Sequence, residues 1–231
     1  GMRVVYVVLF AGAVLSVYIN GVANGWWPAW GERPTVAATT TPLISPAPTA
    51  SASASGEAAM SGGYQIGPDG VLVRPAEHAA STYTKPELPE EAKENTERGA
   101  ELAAEYLIDT LTYAWNTGDT QPFEDVSEPG DNFRERYIRN VNELYSHGWM
   151  YDNSSSITQI VSVEPVTDPK WSAQPNTIGV VFNIVTSNGT SCVDKRIIIS
   201  DKFNVSVILF MTWKDEQWIA TRGEVLHNDQ E

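Results

Sequence analysis

Apolar and polar positions follow three different patterns along the chain. Residues 4–19 are apolar or uncharged throughout, between Arg3 and a next charge at Glu32. Residues 34–63 have no period and consist mainly of Thr, Pro, Ala, Ser and Gly, with Glu57 the only charge. Such a composition cannot bury enough apolar surface to offset its chain entropy, so it predicts a flexible spacer. Residues 64–88 read as mostly extended, with Val71, Leu72 and Val73 as a short edge segment.

At Thr96 a helical period begins. Thr96 is placed to cap a helix whose first turn carries Glu97 and Glu101, matching the positive end of the helix dipole. Ala100, Ala103, Leu107, Leu111 and Ala114 then recur at three- or four-residue spacing, and Gly118 supplies a left-handed stop. Asp119 or Thr120 caps a short second helix with Pro122 early in it and Phe123 and Val126 inward. A third helix is predicted from Asp131, with Phe133, Tyr137, Val141 and Leu144 on one face and Gly148 at its end.

Beyond Trp149 the period shortens to two, and strands are predicted at 156–166, 177–186, 191–200, 203–213 and 217–225. Asn188-Gly189 is a hairpin signal, and Lys214-Asp215-Glu216 a tight connection. Helices first and hairpin-linked strands afterwards predict an α+β fold: three N-terminal helices packed on a curved, mostly antiparallel sheet, a cone. The organisation expected is a signal peptide or membrane anchor at 1–30, a low-complexity linker at 31–85 and the folded domain at 86–231. Gly21-Val22-Ala23 offers a cleavage site after Ala23, whereas Trp26, Trp27 and Trp30 suit an interfacial end to a retained anchor. Both alternatives stand.

Charge narrows the partners. Lys and Arg total 15 against 29 Asp and Glu, a net charge of -14, which works against binding phosphate backbones, so no nucleic-acid partner is expected. Cys192 is the single cysteine, so neither an intrachain disulfide nor a cysteine zinc site can form.

Several segments resemble an uncharacterised group of exported lipoproteins and membrane-anchored proteins of actinobacteria, a domain of unknown function with a nuclear-transport-factor-2-like cone fold. They are Pro86-Glu87-Leu88-Pro89-Glu90-Glu91-Ala92-Lys93-Glu94-Asn95-Thr96, Gly99-Ala100-Glu101, Tyr113-Ala114-Trp115-Asn116-Thr117-Gly118-Asp119-Thr120 and Trp213-Lys214-Asp215-Glu216-Gln217-Trp218. The resemblance covers about residues 86–226. It implies a Ser-Asp-Pro stretch followed by two cysteines three residues apart, where this chain has Ser127-Glu128-Pro129, Asp131 and Arg134. A cap at Asp131 and an exposed Asp131–Arg134 ion pair are the expected replacement. The lipobox cysteine of the group is missing as well, so a tether would have to be the apolar segment itself.

No catalytic signature accompanies this pattern. His78, His147 and His227 lack ligand spacing, and no Gly-x-Ser-x-Gly elbow, phosphate loop or dinucleotide fingerprint is present, so no metal or cofactor is expected. Related cones hold an acid or base in a pocket between the first helix and the sheet. Tyr106, Asp109 and Tyr113 share a helical face that could meet such a pocket, with His147 or Trp149 near its mouth. The function expected is a non-enzymatic, extracytoplasmic binding domain, membrane-tethered or secreted, for an unknown protein or small apolar ligand at the cell surface. The alternatives are a cyclase- or isomerase-like enzyme using the cone pocket and a scaffold in a cell-surface or secretion assembly.

Overall fold

The protein is described from a computed structural model, over residues 60–61, 64–193 and 195–227. The apolar run at 4–19, the cleavage site after Ala23 and the low-complexity sequence up to residue 59 lie outside the described residues.

The helices begin and end where their capping residues stand. Helix α1 spans Glu97–Thr117; the Thr96 hydroxyl accepts the Gly99 N–H at 2.9 Å, and Gly118 closes the helix at φ 81° with its N–H on the Ala114 carbonyl. Helix α2, Gln121–Glu124, is one turn, with the Asp119 carboxylate accepting the Gln121 N–H at 3.1 Å. Helix α3, Asn132–His147, is capped by Asp131, which accepts from the N–H groups of Phe133 and Arg134. Arg134 does not pair with Asp131 as expected. Its guanidinium, 14 % exposed, lies 3.1 Å from Glu124 and 2.8 Å from Glu135, and so ties α2 to the start of α3.

Strands β1 (Met60–Ser61) and β2 (Tyr64–Gln65) precede the helices, and seven follow: β3 (Gly148–Tyr151), β4 (Ser154–Pro165), β5 (Thr177–Ser187), β6 (Thr190–Val193), β7 (Arg196–Ile199), β8 (Phe203–Lys214) and β9 (Gln217–His227). They pair antiparallel in the orders β1-β2, β3-β6-β7 and β4-β5-β8-β9. The two larger sheets share three strands that bend and continue. Ser154 pairs with Ser187, and three residues away Tyr151 pairs with Thr190; Thr186 pairs with Phe203, and Thr190 with Ile199. Asn188-Gly189 is therefore no hairpin. It is the bend through which β5 runs on into β6, while the hairpin between β4 and β5 closes over residues 166–176. The strand expected at 191–200 is likewise two strands, β6 and β7, which pair antiparallel with each other, and Lys195 just before β7 has φ 71°.

Helix α1 touches β3 on one side of the bend and β4, β5, β8 and β9 on the other, so it lies inside the angle of the sheet. The space between is filled. Leu107 of α1, Phe123 of α2, Phe182 of β5 and Leu209 and Met211 of β8 are all fully buried there, each contributing roughly 1.5–3 kcal/mol of hydrophobic stabilisation. Phe133 and Tyr137 of α3 pack edge-on to each other at 4.9 Å and meet Phe123 of this core at 5.9 and 6.4 Å.

The β8–β9 hairpin and residues 126–128 close the domain at its edges. Asp215 and Glu216 both take positive φ, 50° and 62°, and form the two-residue turn between β8 and β9. Trp213 and Trp218 meet across that hairpin at 5.2 Å, and the Trp218 indole N–H donates to the Glu94 carbonyl at 2.8 Å, pinning the chain just before α1. The Val126 carbonyl accepts the Ala220 N–H and the Glu128 N–H donates to the Ala220 carbonyl, so Val126-Ser127-Glu128 shields part of the β9 edge.

Candidate functional site

The side chains with chemistry to offer gather at the bend and on the small sheet β3-β6-β7. Asn116 in the last turn of α1, 2 % exposed, faces the strand bend: its carbonyl oxygen accepts the Asn153 N–H at 2.9 Å and its amide donates to the Asn153 carbonyl at 2.8 Å. One side chain thus satisfies both main-chain groups of a residue that has left its ladder.

Against the same small sheet lies the segment 64–83. It starts as a hairpin, with Ile66 bridged to Leu72 and the Val73 N–H on the Gln65 carbonyl at 2.7 Å, around a turn at Gly67 to Gly70. Leu72, 3 % exposed, enters a second core with Trp149, Tyr151 and Cys192, and the Trp149 indole N–H donates to the Leu72 carbonyl at 2.7 Å. The chain thus joins the folded body before residue 86, where the linker was expected to end.

Arg74 is the anchor of this segment. Its guanidinium donates to the Asn116 carbonyl at 2.7 Å, to the Tyr145 hydroxyl at 3.2 Å and to the His78 carbonyl at 2.5 Å, and lies over the Tyr83 ring at 5.7 Å. The Tyr145 hydroxyl passes its own proton to the Trp115 carbonyl at 2.9 Å. Carbonyls at the C-terminus of a helix lack intrahelical partners and carry partial negative charge, so a cation is favoured there. Further along, the His78 ring stacks on Tyr151 at 4.0 Å with its Nδ1 3.5 Å from Asp152, and Tyr83 bonds the Asp152 main chain at 3.0 Å. The Tyr64 and Tyr151 hydroxyls meet at 2.7 Å; that hydrogen bond, then burial, pushes the Tyr64 phenol up to about 12.

The residues expected to share a pocket are divided between two places. Tyr106, Asp109 and Tyr113 run along α1, Tyr106 and Tyr113 half-buried and Asp109 exposed. His147, half-buried at the end of α3, has Nδ1 2.6 Å from the Ser146 hydroxyl. Trp149 is buried in the second core, under the 64–83 segment. No hydrogen bond or ring contact joins it to Tyr106, Asp109 or Tyr113 among the described residues. Sequence reasoning missed Arg74, Tyr145 and Asn116. Of these, Asn116 carries a signal in the sequence, a polar side chain two residues before the helix-ending Gly118.

Electrostatics on α1 are those of an acidic ridge. Burial pushes the Glu105 carboxyl up, Arg98 opposes this, and Glu101 and Asp109 reinforce it. Asp109, although at the surface, is crowded enough by protein atoms that lost hydration pushes its carboxyl up too, with no cation to offset it. The native state then holds this proton to higher pH than the unfolded chain, so stability is lost as pH rises through the folded value and restored as it falls. Asp109→Asn is expected to raise the thermal midpoint at about pH 7 and to leave it unchanged at about pH 3, where both states are protonated. Calorimetry at the two values checks this; an equal effect at both would assign the change to packing. Among the described residues, no three His, Cys, Asp or Glu side chains stand close enough to share a metal ion, and no helix is long and apolar enough to cross a membrane.

Residues 75–224 match the family described as "Family of unknown function (DUF6318)". No curated protein matches the chain. Among solved structures, the chain is similar to the intermembrane space region of the chloroplast protein ARC6, at 12% identity over 58% of this chain and 98% of that one, with a TM-score of 0.39. It is also similar to an NTF-2 like protein of unknown function from Shewanella oneidensis MR-1, at 14% identity over 53% and 95% of the two chains, with a TM-score of 0.32.

Proposed function

The chain belongs to the DUF6318 family of unknown function, and we propose that it is a non-enzymatic binding domain that works outside the cytoplasm, on a membrane tether or released into the medium. One observation carries the reading: polar and aromatic groups of the small sheet and of the helix ends beside it are spent on holding a polypeptide segment, a hairpin continued by single helical turns at Ala76–His78 and Ala80–Thr82. Trp149, Tyr145, Asn116 and Asp152 contact residues 64–83 through indole, phenol, main-chain carbonyl and carboxylate groups, which is the chemistry of peptide recognition. The apolar run at 4–19 and the spacer after it support export, and the resemblance described above supports an actinobacterial cell surface.

A cyclase- or isomerase-like enzyme would need a carboxylate or imidazole inside the cone. The interior between α1 and the sheet is occupied by Leu107, Phe123, Phe182, Leu209 and Met211, and Asp109 stands outside it, so that alternative gains no support.

The test is fractionation of cells expressing the full chain, combined with crosslinking from a photoreactive residue at Tyr83. The protein is expected in the membrane or the medium, with a mature start at Asn24 if it is cleaved, and crosslinked to a protein partner. Recovery in the cytosol, or a surface protein that crosslinks to nothing, would overturn the reading.

A further inference from the structure

The segment 64–83 is held mainly by polar and ring contacts that another polypeptide can make, with Leu72 buried and Tyr64, Ile66 and Tyr83 only partly covered. Among residues 64–91 only Leu72 is buried, and residues 84, 85 and 87, which lead from the segment to α1, are exposed. A unit with so little buried apolar surface opens at lower free energy than the main core. Lifting it away uncovers the faces of Trp149 and Tyr151 and leaves the Asn116 carbonyl and the Tyr145 hydroxyl without their cation and Asp152 without its imidazole neighbour.

That uncovered surface has a definite chemistry. An indole N–H awaits a main-chain carbonyl, two aromatic rings await an aliphatic side chain, and next to them the oxygens at the end of α1 await a planar cation. The hydroxyl and the carbonyl accept two different nitrogens of Arg74, a fork that an ammonium cannot reproduce. The net charge of -14 favours encounter with cationic partners over the molecule as a whole.

We infer that residues 64–83 are a displaceable strap, and that the groove beneath takes a segment of a partner protein carrying an arginine two residues after a large aliphatic side chain, as in Leu72-Val73-Arg74. This rests on the binding-domain reading and supplies the chemical class of its partner. The strap keeps the groove shut until such a segment competes for it.

The experiment uses the full chain with the strap released by Leu72→Asp and Arg74→Ala, and as probe a labelled synthetic peptide with the sequence of residues 64–83. A second route to release, a protease site placed at residues 84–87, covers the case in which the double variant fails to fold. The peptide is expected to bind the released chain at least about tenfold tighter than the wild-type chain, where the tethered strap competes at high effective concentration. Replacing its arginine by lysine is expected to weaken binding by about tenfold. Hydrogen exchange at residues 64–83 reports release. A released chain that ignores the peptide overturns the inference, as does a strap still protected in the double variant or an equal affinity for the lysine peptide. Wild-type chains that exchange straps to form dimers would also overturn it, making a second copy the occupant. A groove that binds the peptide in a protein that crosslinks to nothing in cells would sink the binding function and leave the strap.

Discussion

Gly189→Ala is expected to destabilise the domain by about 3–5 kcal/mol, the largest effect of any single methyl group added at the bend. Gly189 has φ 64°, a left-handed conformation that costs an ordinary L-residue roughly 1–2 kcal/mol. The added Cβ would also lie 2.2 Å from the Tyr151 carbonyl oxygen and 2.4 Å from the Asp152 carbonyl carbon. Both obstacles are backbone, so no side chain can rotate away. The adjoining strand would have to retreat, and it is the strand that Asn116 holds. Denaturant titration of the variant against an exposed control, Asn188→Ala, measures the difference. A loss under about 1 kcal/mol would show that the bend tolerates a side chain and is not set by this glycine.

Asn116→Ala comes next, at about 2–4 kcal/mol. The substitution removes the bond to the Thr112 carbonyl and both bonds to Asn153, a residue 8 % exposed, whose N–H and carbonyl are left with nothing in their place. An unmade buried bond costs more than a made one contributes, so the penalty exceeds that of two surface hydrogen bonds. Asn116→Asp separates the parts: it keeps the acceptor for the Asn153 N–H and turns the donor into a second acceptor facing a carbonyl. It is expected to destabilise at least as much as alanine at neutral pH and less in acid, where the protonated carboxyl can donate again. Equilibrium unfolding at the two conditions decides, and a pH-independent loss would argue that the clamp is steric rather than hydrogen-bonded. Arg74 bonds the main-chain carbonyl of Asn116, which both variants retain, so hydrogen exchange at residues 64–83 is expected to change less than at Asn153.

These two sites show what can and cannot be read along a chain. Thr96, Gly118 and Asp131 mark helix ends because a cap acts on main-chain groups two to four residues away. The alternation along β5 and β8 is equally local: every second side chain meets the same buried face. Asn188-Gly189 announced a positive φ just as reliably, and Gly189 has one. The dipeptide does not say what the turn joins. A left-handed residue reverses a chain when the next strand pairs with the last one, and merely bends it when both pair with a third chain already alongside. That third chain, β3 and β4, comes about 35 residues earlier.

Arg74 makes the point again. Beyond the nearby His78 carbonyl, its partners are 42 and 71 residues further along the chain, and one of these is a main-chain carbonyl, a group every residue possesses. Nothing in the amino-acid order distinguishes the carbonyl of Asn116 from any other until α1 ends there and leaves it free. The splitting of Tyr106, Asp109 and Tyr113 from Trp149 has the same origin, since helical phase places residues on a face but not that face against a particular strand.

By itself, then, the amino-acid sequence determined the helices, most strands, the acidic surface and the α+β class, because caps, periodicity and charge act over a few residues. Only the tertiary structure decided the bend in the sheet, the filled interior and the strap across the aromatic groove. Each of these depends on main-chain groups whose availability is settled when distant segments meet.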